Sequence, residues 1–299
     1  MIIKRTQTIL LLGLCAMMMI LSACGTGSTF TIGAQTFTET KILAEMYKAL
    51  IEDQTDVKVD IIPDLASSPV VLQAMKRNDL QMGTLYSGEI FNNHFPIQPT
   101  KDRKQVLAQA QAGFNKYYDF DWMDPLGFEN TYAFTVREDL AKAKGYETIS
   151  DIQADASTMR LGVDTSWLER PTDGYPAFSK YYGITFGKTY PMELSLVYNA
   201  VAQNQVDIVL AYSTDSRLKA YNLKTLKDDK QFFPPYDASP VIRNDAAKKY
   251  PEAVKAVSAL IGTIDAQTMI GLNYEVDIEK KSEREVAIAY LKRVGLLKS

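Results

Sequence analysis

Residues able to do covalent or metal chemistry are scarce in this chain and poorly placed for it. Among 299 residues there is one histidine, His94, and there are two cysteines, Cys15 and Cys24. Both cysteines lie near the amino end, so zinc clusters, Cys–His nucleophiles and disulfide frameworks have no residues in the folded part. A Ser–His–Asp triad could draw only on His94. No Gly-x-x-x-x-Gly-Lys phosphate loop occurs, which excludes an ATPase. These exclusions lean away from an enzyme.

Cys24 has a chemistry of its own. Lys4 and Arg5 precede an apolar run from Ile9 to Leu21, too short for a comfortable membrane span. Basic start, apolar run and small terminal residues are the order of a secretory signal. The run ends Leu21-Ser22-Ala23-Cys24-Gly25, a lipobox-like sequence. Residues 1–23 are therefore expected to be a lipoprotein signal peptide, with cleavage before Cys24 and diacylglycerol on its thiol. Residues 24–29 would be the tether. Two acyl chains suffice for stable anchoring, where one does not. The expected location is the outer face of the cell membrane.

The elements that position everything else come from patterning. The chain is 46% hydrophobic, 10% aromatic and 23% charged with a net charge of -3. Those are proportions of a soluble globular protein of about two domains. A mildly acidic balance argues against a nucleic-acid partner, which would call for a basic face. Phe30 to Ile32 reads as a strand ending at Gly33. Ile42, Leu43, Met46, Tyr47, Leu50 and Ile51 then fall at helical spacing. Val57, Val59 and Ile61 alternate as in a strand. A helix follows Ser67-Ser68-Pro69, proline standing at a favoured first-turn position. Leu80 to Leu85 is the next strand.

Two stretches recur. Ile32-Gly33-Ala34-Gln35-Thr36 matches Leu161-Gly162-Val163-Asp164-Thr165, and the ten residues from Asn78 to Ser87 match those from Asn204 to Ser213 without a gap. Both longer stretches finish in Tyr-Ser. The pattern predicts two α/β lobes whose strand ends face a ligand cleft and close on it by a hinge. Glu129 to Phe134 and Phe232 to Tyr236 are the candidate crossing strands. Lobe I would take residues 30–129, lobe II 130–236, and a return segment, 237–299, would complete lobe I.

The chain resembles the substrate-binding lipoproteins of Gram-positive ABC importers for quaternary-ammonium osmoprotectants: glycine betaine, carnitine and choline. The resemblance rests on Gln35-Thr36-Phe37-Thr38-Glu39, Asp64 to Pro69, Glu129-Asn130-Thr131-Tyr132, Asp207 to Asp215 and Pro234-Pro235-Tyr236. It implies a two-lobed, periplasmic-binding-protein-like fold of type II, no cofactor or metal, and an ABC permease as partner.

A trimethylammonium head is a cation with no N–H to donate. Aromatic faces attract it while excluding water. The resemblance carries the family's tyrosine cage onto Tyr86 and Tyr212, one from each lobe, and Tyr132 and Tyr236 in the hinge. It places Gln35, Ser67, Ser68 and Asn130 near the ligand's polar end, the first three beside helix N-termini where backbone N–H groups favour acceptor oxygens. Glu89 departs from the expected pattern, where a smaller or uncharged side chain was due. An acid facing the cleft would repel a substrate carboxylate and favour choline. His94, in a turn-like setting, is expected at the surface or in a cap. Trp122 and Trp167 are expected to report lobe closure. Alternatives are an amino-acid importer gripping its ligand through Asp164 and Arg170, an exported enzyme on the same fold, and a sensor or adhesion lipoprotein.

Overall fold

The computed structural model describes residues 29–169 and 174–297. The signal segment, Cys24 and Arg170 lie outside the described residues.

From the amino end, β1 (Phe30–Gln35), α1 (Thr38–Gln54), β2 (Val59–Leu65), α2 (Ser68–Lys76) and β3 (Met82–Tyr86) alternate. A 3-10 segment (Ser87–Asn92), α3 (Arg103–Tyr118) and β4 (Phe120–Trp122) follow. The chain then crosses to β5 (Tyr132–Arg137), α4 (Glu138–Lys144), β6 (Arg160–Val163), α5 (Thr165–Glu169) and α6 (Tyr175–Tyr182). Next come β7 (Lys188–Pro191), α7 (Leu194–Ala202), β8 (Ile208–Tyr212), α8 (Ser216–Ala220) and β9 (Leu223–Thr225). It returns through β10 (Ala238–Arg243), α9 (Asn244–Lys249), α10 (Pro251–Ser258), α11 (Ala266–Asp277) and α12 (Glu283–Arg293).

Two mixed five-stranded sheets result, ordered β2-β1-β3-β10-β4 and β7-β6-β8-β5-β9. Each has a parallel trio, one long strand antiparallel to it, and a short edge strand antiparallel to that one, and the two orders correspond strand for strand. The duplicated stretches occupy equivalent places. Ile32 pairs with Met82 in one sheet, and Leu161 with Ile208 in the other. Asn78 and Asn204, at the foot of the matching helices, both take left-handed backbone, φ 66° and 56°. Asparagine adopts that region more readily than most residues. Arg243 and Arg137, ending the two long antiparallel strands, each donate to the carbonyl of an equivalent residue, Met75 or Val201.

Each sheet is buried on both faces. In the first lobe Phe30, Ile32 and Ala34 face α1 and the carboxyl-terminal helices, where Leu43, Tyr47, Val257 and Tyr290 pack. Leu85 and Val241 face Val71, Met75, Phe114 and Trp122. In the second, Ile208 and Leu210 join Phe134, Trp167 and Phe178, whereas Val209 and Ala211 point to Val197 and Tyr198. This two-residue alternation is what a strand between two helical layers requires. Trp122 and Trp167 are 2% and 0% exposed, filling lobe interiors rather than the cleft.

The crossing segments pair with each other. Glu129 and Asp237 form an antiparallel bridge, and Asn130 N–H donates to the Tyr236 carbonyl at 3.0 Å. Arg103 on α3 holds the buried Asp237 in an ion pair. Helix α11 spans the two cores: Met269 and Leu272 bury in the first, and Ile270 among Val197, Tyr198 and Leu218 of the second.

Candidate functional site

A cavity of about 770 Å³ lies where the two lobes meet, and Tyr86, Tyr132, Tyr212 and Tyr236 all line it. Tyr86 ends β3 and Tyr212 ends β8, at carboxyl ends of central strands. Tyr132 opens β5 and stands directly opposite Tyr212, their rings stacked with centroids 5.3 Å apart. It is thus a second-lobe ring and not a hinge ring as expected, because the antiparallel register brings it beside Tyr212. The Tyr212 N–H is fixed by the Tyr198 hydroxyl at 3.0 Å. Tyr236 in the return crossing lies over Gly88, whose missing side chain leaves room for its ring.

Gln35, Ser68, Glu89 and Asn130 line the same cavity. Ser68 Oγ donates to Gln35 Oε1 at 3.4 Å, and the buried Gln35 Nε2 closes no hydrogen bond to the protein. Ser67 is not brought to the cavity wall. It is the residue before α2, and its carbonyl accepts from the N–H groups of Val70 and Val71. Glu89 is 6% exposed, and Asn92 Nδ2 donates to its Oε2 at 3.0 Å. Burial pushes this carboxyl up, but the neighbouring His94, Ser68 and Asn92 side chains outweigh it and hold Glu89 below the usual carboxylate range. His94 is no surface residue. Left-handed Asn93 (φ 58°) turns the chain back and seats the imidazole against Phe114 and Tyr118.

Sequence reasoning missed Glu39. It sits in the first turn of α1, 2% exposed, on the cavity wall. Tyr86 OH donates to its Oε1 at 2.5 Å and Asn130 Nδ2 at 3.2 Å. Thr214 and Asn273 add polar neighbours, yet burial dominates and raises the Glu39 pKa. Burial and the adjoining carboxyl push the Tyr86 phenol far above its ordinary value, so it remains a neutral donor. Phe37, whose ring centroid is 6.3 Å from that of Tyr86, adds a further aromatic wall. Asp277 accepts from Thr38 at 2.5 Å and from Ser216 at 2.7 Å, joining the starts of α1 and α8. The stretch Phe37-Thr38-Glu39, an acid in a helix's first turn beside an expected site residue, was the available signal for Glu39. Nothing local marks Asn273 or Asp277, which reach the cavity only through the carboxyl-terminal return.

Asp164 does not line the cavity; it accepts from the Trp167 N–H at 3.0 Å as a helix cap. An arginine does reach the wall, Arg217, with its guanidinium on Asp215 and over the Tyr198 ring.

Aromatic and polar groups from two homologous lobes around one interlobe cavity define a two-lobed substrate-binding protein. The chain belongs to the family of substrate-binding domains of ABC-type glycine betaine transport systems, which it matches over residues 28–293. It is 42% identical over 266 residues to a carnitine transport binding protein of Listeria monocytogenes, covering 89% of this chain and 86% of that protein. A glycine-betaine-binding protein of Pseudomonas aeruginosa is 32% identical, with 90% and 89% covered. A crystal structure described as a glycine betaine/carnitine/choline ABC transporter superposes with a TM-score of 0.86 at 39% identity, covering 89% of this chain and 99% of that one.

Proposed function

We propose that this chain captures a quaternary-ammonium osmolyte outside the cytoplasm, choline in preference to glycine betaine or carnitine, and delivers it to an ABC permease. The observation that carries the reading is the convergence of Tyr86, Tyr132, Tyr212 and Tyr236, from both lobes and the crossing, on one cavity. A desolvated cation gains around 2 kcal/mol on each well-placed ring. Three or four rings suffice for micromolar binding, about -8 kcal/mol, after association costs. Family membership supports the permease partner, and the relatives named for carnitine and betaine support the ligand class.

Glu89 supports the choline preference. Its buried, ionised carboxyl on the cavity wall meets a carboxylate in betaine or carnitine but only a hydroxyl in choline. Like charges in a partly dry site repel by roughly 1–3 kcal/mol, ten- to a hundred-fold in affinity. Anchoring through diacylglycerol on Cys24 completes the reading.

Calorimetry of the purified protein against choline, carnitine, glycine betaine and an amino-acid panel tests it. Heat is expected with the quaternary amines, choline binding tightest, and none with amino acids; the opposite pattern refutes the assignment. Glu89→Thr should raise betaine and carnitine affinity and leave choline nearly unchanged. An unaltered ratio would return Glu89 to a purely structural role. Intact mass of the mature protein from a lipid-competent host should show diacylglycerol on an amino-terminal Cys24.

A further inference from the structure

His94 is the only histidine in the chain, and the fold places it behind the cavity wall rather than at the surface. Its Nε2 lies 3.6 Å from Glu89 Oε2, with side-chain exposures of 14% and 8%. That nitrogen is buried and closes no hydrogen bond, whereas Nδ1 is paired with Tyr118 OH at 3.1 Å. The ring is clamped between Phe114 and Tyr118, at centroid distances of 5.4 and 5.7 Å. One imidazole nitrogen therefore has a fixed partner, and the other faces a carboxylate whose opposite side looks into the ligand cavity.

Histidine is the side chain whose charge ordinarily changes between pH 5 and 8. The titratable and charged groups around it are Glu89 from the 3-10 segment, Tyr118 from α3, and Lys76 of α2, whose Nζ stands 4.8 Å over the Tyr118 ring. Phenols and lysines ordinarily titrate above that interval. Glu89 is held below the usual carboxylate range, in part by His94 itself. The imidazole is the one group type here whose charge ordinarily changes within that interval.

We propose that His94 is a specificity-determining residue that does not touch the ligand: its protonation sets how much of the Glu89 charge a ligand carboxylate meets. With neutral His94 the Glu89 charge is uncompensated, and trimethylammonium zwitterions are disfavoured against choline. With protonated His94 the corner is net neutral, and zwitterions gain. The inference rests on the reading of Glu89 as a selectivity group. The ratio of choline to betaine affinity is the proper readout, because effects on the shared head group cancel in it, and His94→Gln separates the imidazole from Glu39, whose titration that variant leaves in place.

The test measures both affinities at pH 5.5, 7 and 8.5 for the parent, His94→Gln and Glu89→Gln. In the parent the choline-to-betaine ratio should fall several-fold from pH 8.5 to 5.5. In His94→Gln it should stay flat at the high value, and in Glu89→Gln flat at a low one. Should Glu89→Gln leave the ratio as in the parent at every pH, the selectivity reading of Glu89 fails. Should Glu89→Gln lower the ratio but His94→Gln retain the parent's slope, only the assignment to His94 is overturned. A second measurement needs no variant. Because linkage is reciprocal, saturating glycine betaine should raise the midpoint of the lone imidazole's proton NMR titration relative to saturating choline. Equal midpoints would overturn the proposal.

Discussion

At the scale of single residues the site holds a buried acid with no ion pair among the described residues. Glu39 is buried, accepts from Tyr86 and Asn130, and has its pKa raised chiefly by desolvation. The native state thus holds that proton more tightly than the unfolded chain does. Stability from this group is fully present below the ordinary carboxylate pKa and is lost as pH rises through the raised folded value. Glutamine keeps the acceptor oxygen and removes the ionisation. Glu39→Gln should accordingly match the parent's Tm near pH 4 and exceed it by a growing margin toward pH 8; thermal melts in that series decide. Ligand binding should move the other way. A quaternary cation several ångströms from an ionised Glu39 gains roughly 2 kcal/mol at an effective dielectric near 20. Glu39→Gln should therefore weaken choline by a factor that grows with pH as Glu39 ionises, but hardly affect 3,3-dimethylbutan-1-ol, the uncharged isostere. Equal losses for both would show that Glu39 acts on shape rather than charge.

At the scale of elements, the pairing of Gly88 with Tyr236 is open to a single change. A Cβ at position 88 would stand 2.3 Å from Tyr236 Cε1. Gly88 lies in the 3-10 segment without a left-handed backbone, so alanine is tolerated there and the ring must give way. Gly88→Ala should weaken choline, betaine and carnitine together by about ten-fold, through loss of one ring's contribution, with circular dichroism unchanged. Undiminished affinity would remove Tyr236 from the ligand's surroundings. The sequence displayed much of this layer. Apolar spacing marked α1 from Ile42 to Ile51, and the ungapped match from Asn78 to Ser87 and Asn204 to Ser213 proved to be equivalent helix-to-strand passages with matching left-handed asparagines. Side-chain alternation and turn chemistry are local, so they are legible without the fold. The place of His94 was not, because it depends on a reversal at Asn93 and on α3 supplying Phe114 and Tyr118. Nor was the stacking of Tyr132 on Tyr212, which needs the antiparallel register between strands far apart in sequence.

At the scale of the whole molecule, α11 decides how the lobes are held. Its carboxyl-terminal Asp277 accepts from Thr38 at the start of α1 and from Ser216 at the start of α8, one residue from each lobe. Asn273, a turn earlier, donates to the Thr214 carbonyl at 2.9 Å. These polar links, with the apolar packing of Ile270 in the second core, are expected to help hold the closed arrangement. Each such hydrogen bond contributes about 1 kcal/mol net. A ligand can shift that balance only by binding the closed form better, and apparent affinity scales with the fraction already closed. Removing both Asp277 bonds should therefore tax every ligand equally. Asp277→Ala is expected to weaken choline, betaine and carnitine by one common factor, roughly five- to thirty-fold for one to two bonds, with dissociation rates raised. Any shift of the choline-to-betaine ratio on top of that factor measures the direct charge effect of Asp277, which itself lines the cavity. Small-angle scattering gives the independent check: the ligand-free variant should have a larger radius of gyration than the ligand-free parent, and saturating choline should bring the two together. If neither affinity nor radius changes, the lobes are held by the crossing segments and the Arg103–Asp237 pair instead.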